Sequence, residues 1–462
     1  MRLILALITL VVSLNAQALA FPSLKLQQVW DIDLGPVQYD ISRSFTRNNV
    51  KVEEVYYQSR PYKGKPVRIF GYYCRPIQTD GLLPAILLVH GGGGTAHLGR
   101  TIEWAQRGYA VLTIDLPGRG DQRWGSRSSG PDMDVPILLR TSPDPTYNYL
   151  VHAVAAARNG ITFLTQRPEV DGRRIGMVGL SWGGVITLLT NGQDKRLKTA
   201  VNVFGAGYIP EGCTWQDRFD IMSKEELKRW YTYIDPSNFL KTQHAPILFI
   251  TGTNDHCYYL PTFQKSFEEV TAEKKLLLIA NLRHRFLPYM QRIVWNWLDN
   301  KLKGRGRFPK VALLPVFKRG QNKLIVPVAA TASSYITNAT LYYTEGEPSR
   351  WTKRVWKSLP AYEEEGIYYF AVPTKLIKPE VMFYVNVKDN HGSTVSTPIR
   401  SIFKVNVFRG EQTYALSSPI QKINIHEPPL QLLGLKNVPE MLQIFFSKKN
   451  RSYHIIFPEK RG

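Results

Sequence analysis

Cysteine is scarce. The 462-residue chain has three, Cys74, Cys213 and Cys257, too few for a disulfide scaffold and odd in number, so a monomer keeps at least one free thiol. One disulfide stays open as an option. Their spacing matches no zinc motif, and each reads as a small buried apolar residue. Acidic residues are also in deficit, with 37 Asp and Glu against 59 Lys and Arg and a formal net charge of +22. Such a surface is drawn to anionic polymers or headgroups. The basic residues are scattered, however, with only short clusters such as Lys301 to Arg307 and Lys448 to Arg451, which argues against a specific nucleic-acid module. Past the first 20 residues no apolar run is long enough to span a bilayer. Internal repeats and low-complexity tracts are missing too. What is present, 44% hydrophobic and 21% charged residues, is ordinary for a folded soluble chain.

Residues 1–20 follow another logic: basic Arg2, an apolar run from Leu3 to Leu14, and the small-residue site Ala18-Leu19-Ala20. This is the pattern of a signal peptide cut after Ala20, so the mature chain is expected to be secreted or periplasmic, without a transmembrane segment. No cysteine follows the site, which argues against a lipoprotein.

The remainder exceeds what one core usually fills. Strand-like runs at Val50 to Gln58 and Val67 to Arg75 suggest an antiparallel lead-in. From Ala85 the rhythm changes. Apolar runs at Ala85 to Val89, Ala110 to Ile114, Ile175 to Val178, Thr199 to Val203, Pro246 to Thr251 and Lys275 to Ile279 alternate with helical patterns, the signature of a mostly parallel α/β sheet. Leu150, Val154, Ala157, Ile161 and Leu164 form one such helical stripe, and Leu287 to Leu302 closes the series. These segments predict an α/β domain over 21–307 with an aromatic cap at about 205–240. Short alternating segments at Ala339 to Tyr343, Ile367 to Val372 and Val381 to Val387, with a turn at Asp389-Asn390-His391-Gly392, predict an all-β sandwich over 308–405. Residues 406–462 form an extension of uncertain structure.

Four elements carry chemistry. Gly179-Leu180-Ser181-Trp182-Gly183-Gly184 follows a β-run and precedes a helical one, the context of a nucleophile elbow that lifts a serine hydroxyl above a sheet. A serine hydroxyl attacks only when a histidine takes its proton, a carboxylate orients that histidine and N–H groups receive the oxyanion. Asp255, in Gly252-Thr253-Asn254-Asp255 just after the run Pro246 to Thr251, is the expected acid, with Asp217, Asp220 and Asp235 as substitutes. His284, between the run ending at Ile279 and the last helix, is the expected base, ahead of His256 and His244. His90-Gly91-Gly92-Gly93-Gly94 leaves the strand Ala85 to Val89 as a glycine loop. Its Gly92 or Gly93 N–H, with the Trp182 N–H, would form an oxyanion hole, His90 being structural. No G-K-[ST] follows, which weighs against a phosphate cradle. Trp182 and Trp215 are candidates for the substrate pocket.

With Asp115-Leu116-Pro117-Gly118-Arg119-Gly120 and Glu169-Val170-Asp171-Gly172-Arg173-Arg174-Ile175-Gly176 added, the chain resembles, over about residues 50–303, the α/β-hydrolases grouped around dienelactone hydrolases, acetyl xylan esterases and prolyl oligopeptidases. The resemblance implies a serine hydrolase with Ser181, Asp255 and His284 as nucleophile, acid and base and with no metal or organic cofactor. An ester is the expected substrate, on a small molecule or a polysaccharide. Fewer than 90 residues precede His90, too few for the propeller of the peptidase members. A peptidase, or an inactive glycan-binding protein, are the alternatives.

Overall fold

The structure, a computed structural model, describes residues 25–118, 125–133, 138–345, 351–378 and 380–406 and the strands Gln412–Leu416, Ile444–Ser447 and Ser452–Ile455, with side chains as far as residue 403. The expected signal peptide and most of the extension from 406 lie outside the described residues.

Nine strands form one sheet in the order β1-β2-β3-β5-β4-β6-β7-β8-β9. β1 (Tyr39–Arg47), β2 (Val50–Tyr62) and β3 (Lys65–Pro76) are antiparallel, as is the β3–β5 pair. β4 (Leu83–Val89), β5 (Ala110–Ile114), β6 (Val170–Leu180), β7 (Leu197–Val203), β8 (Ile247–Gly252) and β9 (Lys274–Ile279) run parallel. β4, β5, β7 and β8 are buried along nearly their whole length because helices cover both faces. These helices are α1 (Leu98–Gln106), α2 (Tyr149–Gln166), α3 (Trp182–Asn191), α5 (Leu260–Glu269) and α6 (Pro288–Lys303). α2 starts at Asn148, whose side chain accepts from the Leu150 N–H, and is buried on every face from Tyr149 to Leu164. The predicted stripe on α2 is thus one side of a helix sandwiched between the sheet and the N-terminal segment.

Register positions the site. Val89 pairs with Gly179, Leu180 with Val203, Val203 with Ile250 and Gly252 with Ile279. The loops after β4, β6, β7, β8 and β9 therefore leave along one edge, the carboxyl ends of the strands, where ligands of open α/β sheets bind. Residues 205–240 cover that edge with short helices, Gln216–Asp220 and α4 (Lys224–Tyr233), the latter started by a Ser223/Glu226 capping box.

Beyond α6 come two antiparallel sheets. One holds β10 (Lys310–Leu313), β12 (Lys323–Thr331), β16 (Ile367–Pro373) and β15 (Tyr362–Glu364), with β11 (Phe317–Arg319) on β12. The other holds β14 (Lys357–Pro360), β13 (Ile336–Glu345), β17 (Glu380–Asp389), β19 (Arg400–Asn406) and β20 (Gln412–Leu416), with β18 (Thr394–Ser396) on β17. Val326, Val328 and Phe370 of one sheet share a core with Leu341, Phe383 and Val385 of the other. The three cysteines are all free thiols, Cys74 and Cys213 buried. Among the described residues no helix is long and apolar enough to cross a membrane.

Candidate active site

Ser181 sits between β6 and α3 at φ 58°, ψ −118°. Both backbone groups pin it there: its N–H donates to the Val203 carbonyl (2.8 Å) and its carbonyl accepts from the Val185 N–H (3.1 Å). The turn is possible because its flanks lack side chains. A methyl group on Gly179 would overlap the Gly183 carbonyl, and one on Gly183 would overlap the Val89 carbonyl. A side chain is thus held in a backbone region favoured by glycine, the mark of a site under functional constraint.

The glycine loop after β4 meets this elbow. A methyl at Gly91 would lie 2.9 Å from Ser181 Cβ and one at Gly92 3.0 Å from the Trp182 indole, so only glycine permits the approach. Gly93, at φ 71°, turns the loop. The packing adds Gly91, which the sequence did not single out, as the glycine directly on Ser181. His90 fixes the loop. Its Nε2 accepts from the Leu116 N–H (3.0 Å), which leaves the proton on Nδ1 to donate to the Gly91 carbonyl (2.7 Å). Burial pushes its pKa down, so it stays neutral, in keeping with a structural role. Asp115, 2% exposed, ties down the far end of the loop, accepting from the Ala96 N–H (2.6 Å) and the Arg127 N–H (2.7 Å).

Asp255 and His284 come together. His284 Nδ1 lies 2.9 and 3.0 Å from the two carboxylate oxygens. Asp255 is fully buried on its side chain, and His284 is 16% exposed. Asp255 Oδ1 also accepts from the Cys257 N–H (2.7 Å) and the Tyr258 N–H (3.1 Å), so that oxygen is held before the imidazole is counted. The His284 ring rests on Phe204 at 4.6 Å between centroids. Phe204 follows β7 at φ 71° and carried no sequence signal.

Of the other candidates, His256 is exposed, its ring 5.9 Å from that of His284, and His244 is exposed on the β8 approach. Asp235 is buried as a cap anchor, accepting from the Tyr208, Ile209 and Ser237 N–H groups. Asp217 and Asp220 are exposed.

Ser181, Trp182, Gly91 to Gly94, Trp215, Cys257 and His284 line one cleft of about 710 Å³, continued by His97, Arg100 and Phe286. Trp182 and Trp215 lie 5.0 Å apart, with Tyr258 edge-on to Trp182 at 5.9 Å. Trp182 and Trp215 give the cleft an aromatic wall, with Tyr258 buried behind it. Asp255, Cys257 and His284 also bring potential ligand atoms within 4.8 Å of one another. Burial pushes the Cys257 thiol up to about 12, so it is a neutral thiol rather than a second nucleophile.

Residues 20–209, under half of the chain, match the family model described as acetyl xylan esterase (AXE1). Among curated proteins, the acetyl esterase Axe7A of Xylanibacter ruminicola is 24% identical over 249 residues, 51% of this chain and 56% of that protein. The uncharacterized peptidase YuxL of Bacillus subtilis is 26% identical over 239 residues, 47% of this chain and 34% of its own length. The chain thus spans about half or less of the length of these relatives. Among solved structures, acetyl xylan esterase 1 of Thermoanaerobacterium sp. JW/SL YS485 superposes with a TM-score of 0.51 at 17% identity, over 59% of this chain and 92% of that one. At that identity the likeness is one of fold.

Proposed function

We propose that this chain, which has the fold of the α/β-hydrolases, is a secreted serine hydrolase that cleaves an ester, acetyl-xylan-esterase-like, through an acyl-enzyme on Ser181. The observation that carries the reading is the buried Asp255–His284 pair opening into the cleft that Ser181 lines. In this mechanism His284 takes the Ser181 proton through Nε2, its Nδ1–H being engaged by Asp255. The serine oxygen attacks the acyl carbonyl, and the oxyanion is received by the Trp182 N–H, at the start of α3, and by the glycine loop. His284 then protonates the departing alcohol, and water repeats the sequence on the acyl-enzyme. The match to the esterase model and to Axe7A supports an ester over an amide.

The substrate class we propose is an acetylated polysaccharide, which a basic surface would hold if the polymer is acidic. Export rests on the pattern of residues 1–20, and a purified mature chain is expected to begin at Phe21. The test of the whole reading is turnover of p-nitrophenyl acetate and release of acetate from acetylated xylan, with Ser181→Ala alongside. Activity equal in both proteins would remove Ser181 from the mechanism. The likeness to YuxL favours a peptidase as the second reading; hydrolysis of aminoacyl amides without ester turnover would establish it. A glycan-binding protein without activity is the third, and loss of function on removing Ser181 would exclude it.

A further inference from the structure

The loops that carry Asp255 and His284 are both tied to one short run of the C-terminal β-region. Asn254, 7% exposed and next to the acid, donates through Nδ2 to the Thr352 carbonyl (3.1 Å) and the Arg354 carbonyl (2.6 Å). Asn281, three residues before the base, donates through Nδ2 to the Trp356 carbonyl (2.8 Å) and accepts from the Trp356 N–H (2.8 Å). The two loops are also laced to each other. Thr253 Oγ1 donates to Asn254 Oδ1 and accepts from the Asn281 N–H, both at 2.8 Å, and the Asn254 N–H donates to the Leu282 carbonyl (3.0 Å).

The run is itself anchored. Trp356, 3% exposed, belongs to the main core of the large sheet and packs on Tyr384 of β17 at 5.2 Å. Three residues before Asn281, in β9, the Leu278 N–H donates to Ser396 Oγ (2.7 Å) and its carbonyl accepts from Asn386 Nδ2 (3.0 Å). Packing alone would need apolar contact. What is seen beside the packing of Trp356 is directional bonding by two amide side chains, which read the backbone of residues 352–356 from one residue before the acid and three before the base.

We propose that residues 352–356 act as a positioning strap, with Asn254 and Asn281 as positioning residues that set the Asp255–His284 geometry. The C-terminal β-region is then part of the catalytic apparatus without touching substrate. The inference rests on the reading of Ser181, Asp255 and His284 as a triad.

The test uses the full chain and p-nitrophenyl acetate with Asn254→Ala, Asn281→Gly and the double variant. Glycine is chosen because Asn281 sits at φ 59°, so Asn281→Gly removes the clamp without straining the backbone. Each single variant is expected to lose about 10-fold or more in kcat with KM within about twofold, since small misplacement of a catalytic group is costly in rate. The double variant is expected to fall well short of the product of the two losses, because both act through one strap. Asn281→Asp, which keeps the acceptor and tolerates the backbone, should recover part of the rate. Unchanged kcat in both single variants while Ser181→Ala is inactive overturns the strap and leaves the triad standing. Loss in strict proportion to a lowered folded fraction, measured by circular dichroism and urea unfolding of each variant, overturns it as well. If Ser181→Ala stays active, the triad reading fails and the strap with it. If Asn254→Ala does not fold, Asn281→Gly with its Asn281→Asp partner decides alone.

Discussion

Replacing Ser181 by glycine should stabilise the protein relative to replacing it by alanine, the reverse of what these residues do almost everywhere else. Ser181 is held at φ 58°, ψ −118° by hydrogen bonds at both its N–H and its carbonyl, and crowding at Gly179 and Gly183 blocks any relaxation. A residue with a Cβ in such a region stores about 1–3 kcal/mol. Ser181→Ala keeps the Cβ and therefore the strain. Ser181→Gly releases it but adds about 0.5–1 kcal/mol of unfolded-state entropy to be lost on folding. The balance favours glycine over alanine by up to about 2.5 kcal/mol, or up to roughly 4 °C in the melting of the large domain. Calorimetry or urea unfolding of the two variants, both expected to have lost activity by roughly 10⁴-fold or more, reads the difference. If glycine is the less stable by the usual ~0.5–1 kcal/mol, the elbow holds no strain and the account of its geometry is wrong.

Asp115→Ala leaves the Ala96 and Arg127 N–H groups without their carboxylate, at a cost of about 1–3 kcal/mol for two part-buried donors; urea unfolding should show it, together with a fall in kcat as the glycine loop loosens. Unchanged stability would mean that water replaces the carboxylate. His152, 2% exposed and against the Tyr62 ring, is pushed down to about 4 from 6.5, chiefly by burial and then by Arg60. The unfolded chain therefore takes up a proton below pH 6.5 that the folded chain refuses, and stability present above pH 6.5 is lost as the pH falls toward about 4, by up to about 3 kcal/mol. His152→Phe should flatten that part of the stability–pH curve; an unaltered slope would assign it to other groups. Trp215→Ala opens the cleft wall beside Trp182 and should raise kcat/KM for butyryl over acetyl esters by about 10-fold, the scale of a methylene contact in a pocket. No change in that ratio would place the acyl group elsewhere.

Most of the large sheet was legible because its strands are buried on both faces and so read as continuous apolar runs, as at Ala110 to Ile114, which is β5 without a residue's difference. The strands that gave no signal are instructive. β1 is polar and almost wholly exposed at a sheet edge, so nothing enforces alternation. β12 carries Pro327 in mid-strand, which reads as a breaker. Its carbonyl accepts from the Leu314 N–H, and the strand survives on the apolar residues either side. At the site, the meeting of Asp255 with His284 follows from where their loops leave the sheet, a property of chain order that sequence does record. Phe204 and Asn281, at φ 71° and 59°, do not show in sequence because their conformations are imposed by neighbours. The partners of Asn254 and Asn281 lie some 100 and 75 positions away in the chain, and no local pattern announces them.

The same physics explains why a second β-region should adjoin this edge of the sheet. β9 is the last strand in the order, and an outer strand presents unpaired N–H and carbonyl groups that invite another chain. Here the Leu278 groups are taken by Ser396 and Asn386, side chains rather than a tenth strand. Gln264 of α5 exchanges two hydrogen bonds with the Ile399 backbone (3.2 and 2.9 Å), and Arg400 pairs with Glu268 at 3.3 Å. Side-chain capture ends the sheet and fixes its register to the sandwich at the same time. β9 leads directly into the loop of His284, so the contacts that close this edge also hold the strand from which that loop departs.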